Sequence, residues 1–110
     1  MVKYHTDIGR TFFALADPTR RGILLRLREE PGLSVSELAR PLRQKLPGMM
    51  KHLGVLSDAG LITRTKTGRT VSVHLSLKPM REAMEWLERY ERLWTVSIDR
   101  LAALVEEDGK

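Results

Sequence analysis

Ser34-Val35-Ser36-Glu37-Leu38-Ala39-Arg40-Pro41-Leu42-Arg43-Gln44-Lys45-Leu46-Pro47-Gly48-Met49-Met50-Lys51-His52-Leu53-Gly54-Val55-Leu56-Ser57-Asp58-Ala59-Gly60 is the stretch on which the fold turns. It reads as two helices and the turn between them. Ser34 followed three residues later by Glu37 is a capping box: the hydroxyl accepts from the Glu37 amide and the carboxylate reaches back to the Ser34 amide. The short helix opened there must stop near Pro41, whose ring clashes with the preceding turn. Pro47 starts the next helix, since its fixed φ suits a first turn. Met49, Leu53 and Leu56 recur at i, i+4 and i+7 and form the inner face. Gly60 falls where a left-handed residue is needed, and Leu61 can fold back on Leu56 in a Schellman ending.

Upstream, about Asp7 to Ala16 has helical composition. Asp17-Pro18 restarts the chain as a cap and a first helical residue. That second helix runs to about Arg28 with Ile23, Leu24 and Leu27 at core spacing. Pro31-Gly32 is a turn, and Leu33 has room for a short strand. Downstream, Ile62–Lys66 and Thr70–Leu75 are rich in β-branched residues, and the second alternates apolar and polar. Thr67-Gly68-Arg69 joins them as a tight hairpin. Lys78 to Glu107 is one long helix with two apolar stripes. One is Met80, Met84, Leu87, Trp94, Ile98, Leu101 and Val105; the other includes Ala83, Trp86, Tyr90, Leu93 and Leu104. One stripe can cover the domain and the other a partner helix.

The expected fold is therefore mainly α with a small β-hairpin: a winged helix-turn-helix with a long C-terminal dimerisation helix. The 110 residues suit one domain, 1–110, with the helix-turn-helix over 34–60, the wing over 61–76 and the dimerisation helix over 77–107. There is no cysteine, which excludes disulfides, Cys-based zinc sites, iron–sulfur clusters and thiol nucleophiles. No apolar run exceeds five residues, so no membrane span is expected, and a cytoplasmic protein is the default.

The net charge is +5, and it is unevenly placed. Residues 40–76 hold seven basic residues against one acid, Asp58, a field that attracts polyanions. With Met49, Leu53 and Leu56 inward, the surface near the start of the reading helix is Gln44, Lys45, Pro47, Gly48, Met50 and Lys51. Such a helix reads bases with its first turns. Lys51 suits guanine edges, Gln44 adenine and Met50 a thymine methyl, while Gly48 permits close backbone approach. Contacts of Lys45 and Lys51 to phosphate alone are the plainer alternative. Arg64, Lys66 and Arg69 sit on the hairpin as expected DNA contacts, with Arg69 at the tip reaching a minor groove or phosphate, or else the three only guard a sheet edge. Trp86, Tyr90, Leu93, Trp94, Ile98 and Leu101 are the expected dimer interface, because interfaces enrich aromatics. A pocket between subunits is the sharper reading of the aromatics.

Ala14-Leu15-Ala16-Asp17-Pro18-Thr19-Arg20-Arg21, Ser34-Val35-Ser36-Glu37-Leu38-Ala39, Leu46-Pro47, Lys51-His52-Leu53 and Ala59-Gly60-Leu61, in that order and spacing, resemble the ArsR family of bacterial transcription regulators. Glu85-Trp86-Leu87-Glu88-Arg89-Tyr90 is similar to a metal-independent branch of it. The resemblance implies a homodimer that binds a two-fold operator and represses transcription. The family commonly carries Ser or Thr just before and within the reading helix, where this chain has Lys45 and Met50. It also has Gly48 and Gly54 inside that helix, so operator contacts are not carried over there.

His5, His52 and His74 make no familiar ligand spacing, so no metal and no cofactor are expected; His52 is read as a packing or phosphate-contact residue. No nucleotide-binding glycine pattern or nucleophile motif is present, and the chain is not read as an enzyme. The expected partners are double-stranded DNA and a second copy, with a small-molecule effector left open. The rival reading is a winged-helix module for protein or RNA, separated by whether random duplex DNA binds in a salt-dependent way.

Overall fold

A computed structural model describes residues 2–43 and 45–108, with side chains over 8–43 and 45–106. The element order is α1 (Val2–Leu15), α2 (Pro18–Glu29), α3 (Val35–Ala39), α4 (Leu46–Asp58), β1 (Ile62–Thr67), β2 (Thr70–Leu75) and α5 (Lys78–Asp108). The chain is a winged helix-turn-helix with a long C-terminal helix, as the sequence leads one to expect. α1 begins five residues before the expected start at Asp7: no proline or glycine lies between Val2 and Asp7 to break it.

Local chemistry sets the boundaries. Asp17 is the N-cap of α2 and accepts the Arg20 amide at 3.1 Å, with Pro18 next in the first turn. Ser34 and Glu37 close both arms of the capping box, at 3.2 and 3.0 Å. α4 ends in the full Schellman pair: Leu61 N–H donates to the Leu56 carbonyl at 3.0 Å and Gly60 N–H to Ser57 at 2.9 Å. Gly60 sits at φ +74°, a conformation a side chain would strain.

β1 and β2 pair antiparallel with Thr67 opposite Thr70. The loop is thus Gly68-Arg69 alone, one residue shorter than expected. Gly68 takes φ +62° at its first position, as a type II′ loop requires. Leu33 does not form a strand: a single bridge joins Ser34 to Ser72, and the Leu33 carbonyl accepts from Val73 at 2.9 Å. The capping box starts a helix at once and leaves no residues for a longer ladder. That bridge fixes the root of the wing against the start of α3.

The core is one cluster. Ala14, Ile23, Leu27, Leu38, Met49, Leu53, Leu56, Leu61, Ile62 and Val73 are essentially fully buried within it. Among the described side chains, α5 joins this body through its first turns. Ala83 is buried, Met80 packs on the cluster, and Trp86 meets Phe12 of α1 edge-on at 6.1 Å. From Leu87 to Glu106 every residue is exposed. The expectation that one stripe of α5 covers the domain is corrected accordingly: the domain is covered by two turns, and both stripes beyond them face outward. A helix of 31 residues is about 46 Å long. The molecule measures 73 × 30 × 22 Å.

Candidate nucleic-acid interface

α4 is amphipathic around the buried triad Met49, Leu53 and Leu56. Successive residues turn by 100°, so Lys51 and Pro47 stand opposite the triad, and both are exposed. Leu46 and Met50 occupy one flank; Gly48, His52 and Val55 occupy the other. Lys45 is the N-cap and makes no side-chain cap hydrogen bond, so the amides of Leu46 and Gly48 are left without helical carbonyl partners. Gly48 is half-buried and Met50 exposed. Gln44 lies outside the described residues.

The wing brings a second set of cations to the same side. Met50 and Leu46 line a groove of about 290 Å³ together with Ser34, Val35, Ser36, Arg69, Thr70 and Val71. Arg69 at the loop therefore belongs to the same surface as the first turn of α4. Arg64 and Lys66 lie opposite Val73 and Val71 in register, and both are exposed. Asp58 sits twelve residues from Leu46, about 18 Å along α4. The N-terminal part of α4 and the wing thus form a cationic surface with its acid at the far end.

His52 is half-buried and packs between elements, in keeping with the packing alternative of its sequence reading, with partners that reading did not identify. Its Nδ1 stands 3.4 Å from Nη1 of Arg20 and 3.9 Å from Oδ2 of Asp17. A neutral ring accepts from Arg20; a protonated ring faces the Asp17 carboxylate. It is a junction residue between α4 and the start of α2. Arg20 also donates from Nε to the Ala14 carbonyl at 2.8 Å and from Nη2 to Phe13 at 3.0 Å, and its guanidinium lies over the Phe13 ring at 5.2 Å. Arg21 donates to the Leu15 carbonyl at 2.7 Å. The two arginines satisfy the last carbonyls of α1, which a helix end otherwise leaves open. Arginine three residues after a capping aspartate was the signal, legible only once α1 is known to end there. The Arg20 amide, and secondarily the charges of Arg20 and His52, hold the Asp17 carboxyl below the ordinary carboxylate range. The Ser34 amide and then its hydroxyl do the same for Glu37.

Leu46, to which the sequence pattern gave no site role, lies on the same flank of α4 as Met50. It is 53% exposed.

On α5, Trp86 is half-buried against Phe12 and stacks on Tyr90 at 5.1 Å; Tyr90 meets Trp94 edge-on at 6.1 Å. Tyr90, Leu93, Trp94, Ile98 and Leu101 are exposed. A larger groove of about 570 Å³ separates α1 from α4, lined by Gly9, Arg10, Phe13, Val55 and Asp58. Among the described residues no group of three or more His, Cys, Asp or Glu could hold a metal, and no helix is long and apolar enough to cross a membrane.

Residues 15–65 match a family model described as a helix-turn-helix domain. The chain is 35% identical over 100 residues to the HTH-type transcriptional regulator Rv2034 of Mycobacterium tuberculosis, covering 91% of this chain and 90% of that protein. It is 35% identical over 95 residues to the arsenical resistance operon repressor of Escherichia coli, covering 86% and 78%. The crystal structure of an ArsR family transcriptional regulator, RHA00566, superposes with a TM-score of 0.75 at 38% identity, covering 86% of this chain and 94% of the other.

Proposed function

The chain belongs to the ArsR family of winged helix-turn-helix transcriptional regulators, and from that premise we propose that it represses transcription as a homodimer on a pseudo-palindromic operator. The observation that carries this reading is the shared surface of α4 and the wing. Lys45, Lys51 and Arg69 gather there with exposed backbone and apolar groups, and Asp58 is held away at the other end of the helix. Phosphates suit the uncapped amides at the start of α4 and the cations around them. Pro47, Gly48, Met50 and Lys51 face base edges in the major groove, while Arg64, Lys66 and Arg69 of the wing hold the flanking backbone.

The second copy is the partner that the exposed run of α5 calls for. Tyr90, Leu93, Trp94, Ile98 and Leu101 are large apolar side chains left exposed along one helix, the kind of surface that suits a partner helix. Trp86 links that surface to the body through Phe12. Residues 77–107 are then the dimerisation helix, 34–60 the reader and 61–76 the wing of one domain. A dyad through α5 sets the two reading helices in successive major grooves, about 34 Å apart.

Selection of bound fragments from the source genome, followed by footprinting, tests the proposal. The expected result is a pseudo-palindrome with half-site centres about 10 bp apart. A single asymmetric half-site protected at saturation overturns the two-fold reading.

A further inference from the structure

We propose that Leu46 and Met50 act together as an apolar reader of thymine 5-methyl groups, so that methyl-bearing bases specify part of the half-site. The inference rests on the DNA-binding reading above and deepens it.

Leu46 and Met50 are one helical turn apart on a single flank of α4, the spacing at which side chains adjoin. They are 53% and 44% exposed. The core side of the helix is already filled by Met49, Leu53 and Leu56, so the pair is not needed there. Nor are the two scattered surface residues. With Val35 and Val71 they form the apolar part of the groove between α4 and the wing.

The frame around the pair says what kind of surface it meets. Lys45 precedes Leu46, Lys51 follows Met50 and Arg69 lines the same groove. Such an apolar pair ringed by cations suits a polyanion that displays small apolar groups. Duplex DNA does so in the major groove, where the thymine methyl is the apolar group on the base edges. Met50, unbranched and polarizable, can adapt to the methyl's position, while branched Leu46 offers a stiffer wall. Neither side chain has a hydrogen-bonding group to compete for a base edge, so discrimination at those positions comes from shape and apolar contact.

The test uses the full chain and the operator recovered by fragment selection. Each thymine of the half-site is replaced in turn by deoxyuridine, which removes the methyl and keeps every base-pairing group. The expected result is about fourfold weaker binding at one or two positions, the effect of exposing one methyl-sized group. Leu46→Ala and Met50→Ala proteins should bind the thymine and deoxyuridine duplexes equally at the position each residue reads. Equal affinity of the wild-type chain for thymine and deoxyuridine duplexes at every position overturns the inference and leaves the repressor reading standing. Undiminished discrimination in the doubly substituted chain overturns it too, because another residue then reads the methyl. Failure to enrich any fragment above random DNA overturns the regulator reading itself, and this inference with it.

Discussion

Arg20 Nη1 stands 3.4 Å from Nδ1 of His52, and this contact joins the first turn of α2 to the reading helix. The same guanidinium holds the Phe13 and Ala14 carbonyls at the end of α1. One side chain thereby ties together three helices. The end of α1, the start of α2 and α4 are joined through this side chain in addition to the core they share.

Removing that fastening should loosen the whole body. Arg20→Ala leaves two helix-end carbonyls without their charged donor, and hydrogen bonds to charged groups contribute about 1.5–3 kcal/mol. Urea unfolding should show a loss in that range. Arg20→Lys should recover only part of it, because a single ammonium cannot copy a planar fork that serves both carbonyls. A midpoint unchanged in Arg20→Ala would show that water replaces the guanidinium without cost.

Acid should act through the two caps. Asp17 and Glu37 are held ionised below the ordinary carboxylate range by the amides they accept from. Their folded pKa lies below the unfolded one, so the unfolded chain binds more protons as the pH falls through that interval. Their stabilising effect is complete above the unfolded values near 4 and lost as the pH drops through the folded ones. Melting temperatures should hold between about pH 5 and 7 as far as these groups decide it, then fall below about pH 4. Asp17→Asn with Glu37→Gln should flatten that acid limb; an equally steep limb in the double variant assigns it to other carboxylates.

Trp94→Ala separates assembly from folding. Trp94 is 53% exposed within one chain, so its loss should leave the winged body intact. If two copies bury it, truncation costs about 3–5 kcal/mol at the interface. Sedimentation at micromolar concentration should then show folded monomer with an unchanged wing and core. A dimer that persists would move the interface to another face.

Lys51 and Arg69 should differ in kind. Lys51 points away from the buried triad one turn into α4, and Arg69 sits on the wing loop. Lys51→Ala should weaken operator binding by about 1–3 kcal/mol and random DNA less. Arg69→Ala should weaken both alike and reduce the salt slope by about one unit. Titrations of both variants on both DNAs over a salt series decide between base reading and phosphate contact. Equal losses for Lys51→Ala on the two DNAs would make it a phosphate contact.

What was legible in the sequence was local. Ser34 with Glu37, Asp17 with Pro18, and Gly60 with Leu61 each settle a helix end within a few residues, and the structure shows the capping or terminal hydrogen bonds at each of the three ends. The Met49, Leu53 and Leu56 face was equally plain, since periodicity alone defines it. The contacts that escaped are those between elements. His52 meets Arg20 across 32 residues, and nothing in the spacing joins them. Leu46 is exposed because the core is closed by residues from other elements, which no window around α4 contains. The apolar stripes of α5 were read correctly as stripes, but their periodicity does not say where the body beneath them ends.

The outward half of α5 has a consequence for how the protein responds to its own abundance. From Leu87 to Glu106 every residue of the helix is exposed among the described residues. A solitary helix of about 20 residues is marginal in water, since propensity and i, i+4 side-chain pairs supply only tenths of a kcal/mol each. If a second copy packs along it as proposed, its order comes in part from mass action, and heat tolerance should rise with protein concentration. If the proposed dimer is the form that binds an operator, occupancy should climb with the square of the chain concentration while monomer predominates, and repression should turn on sharply over a modest rise in synthesis.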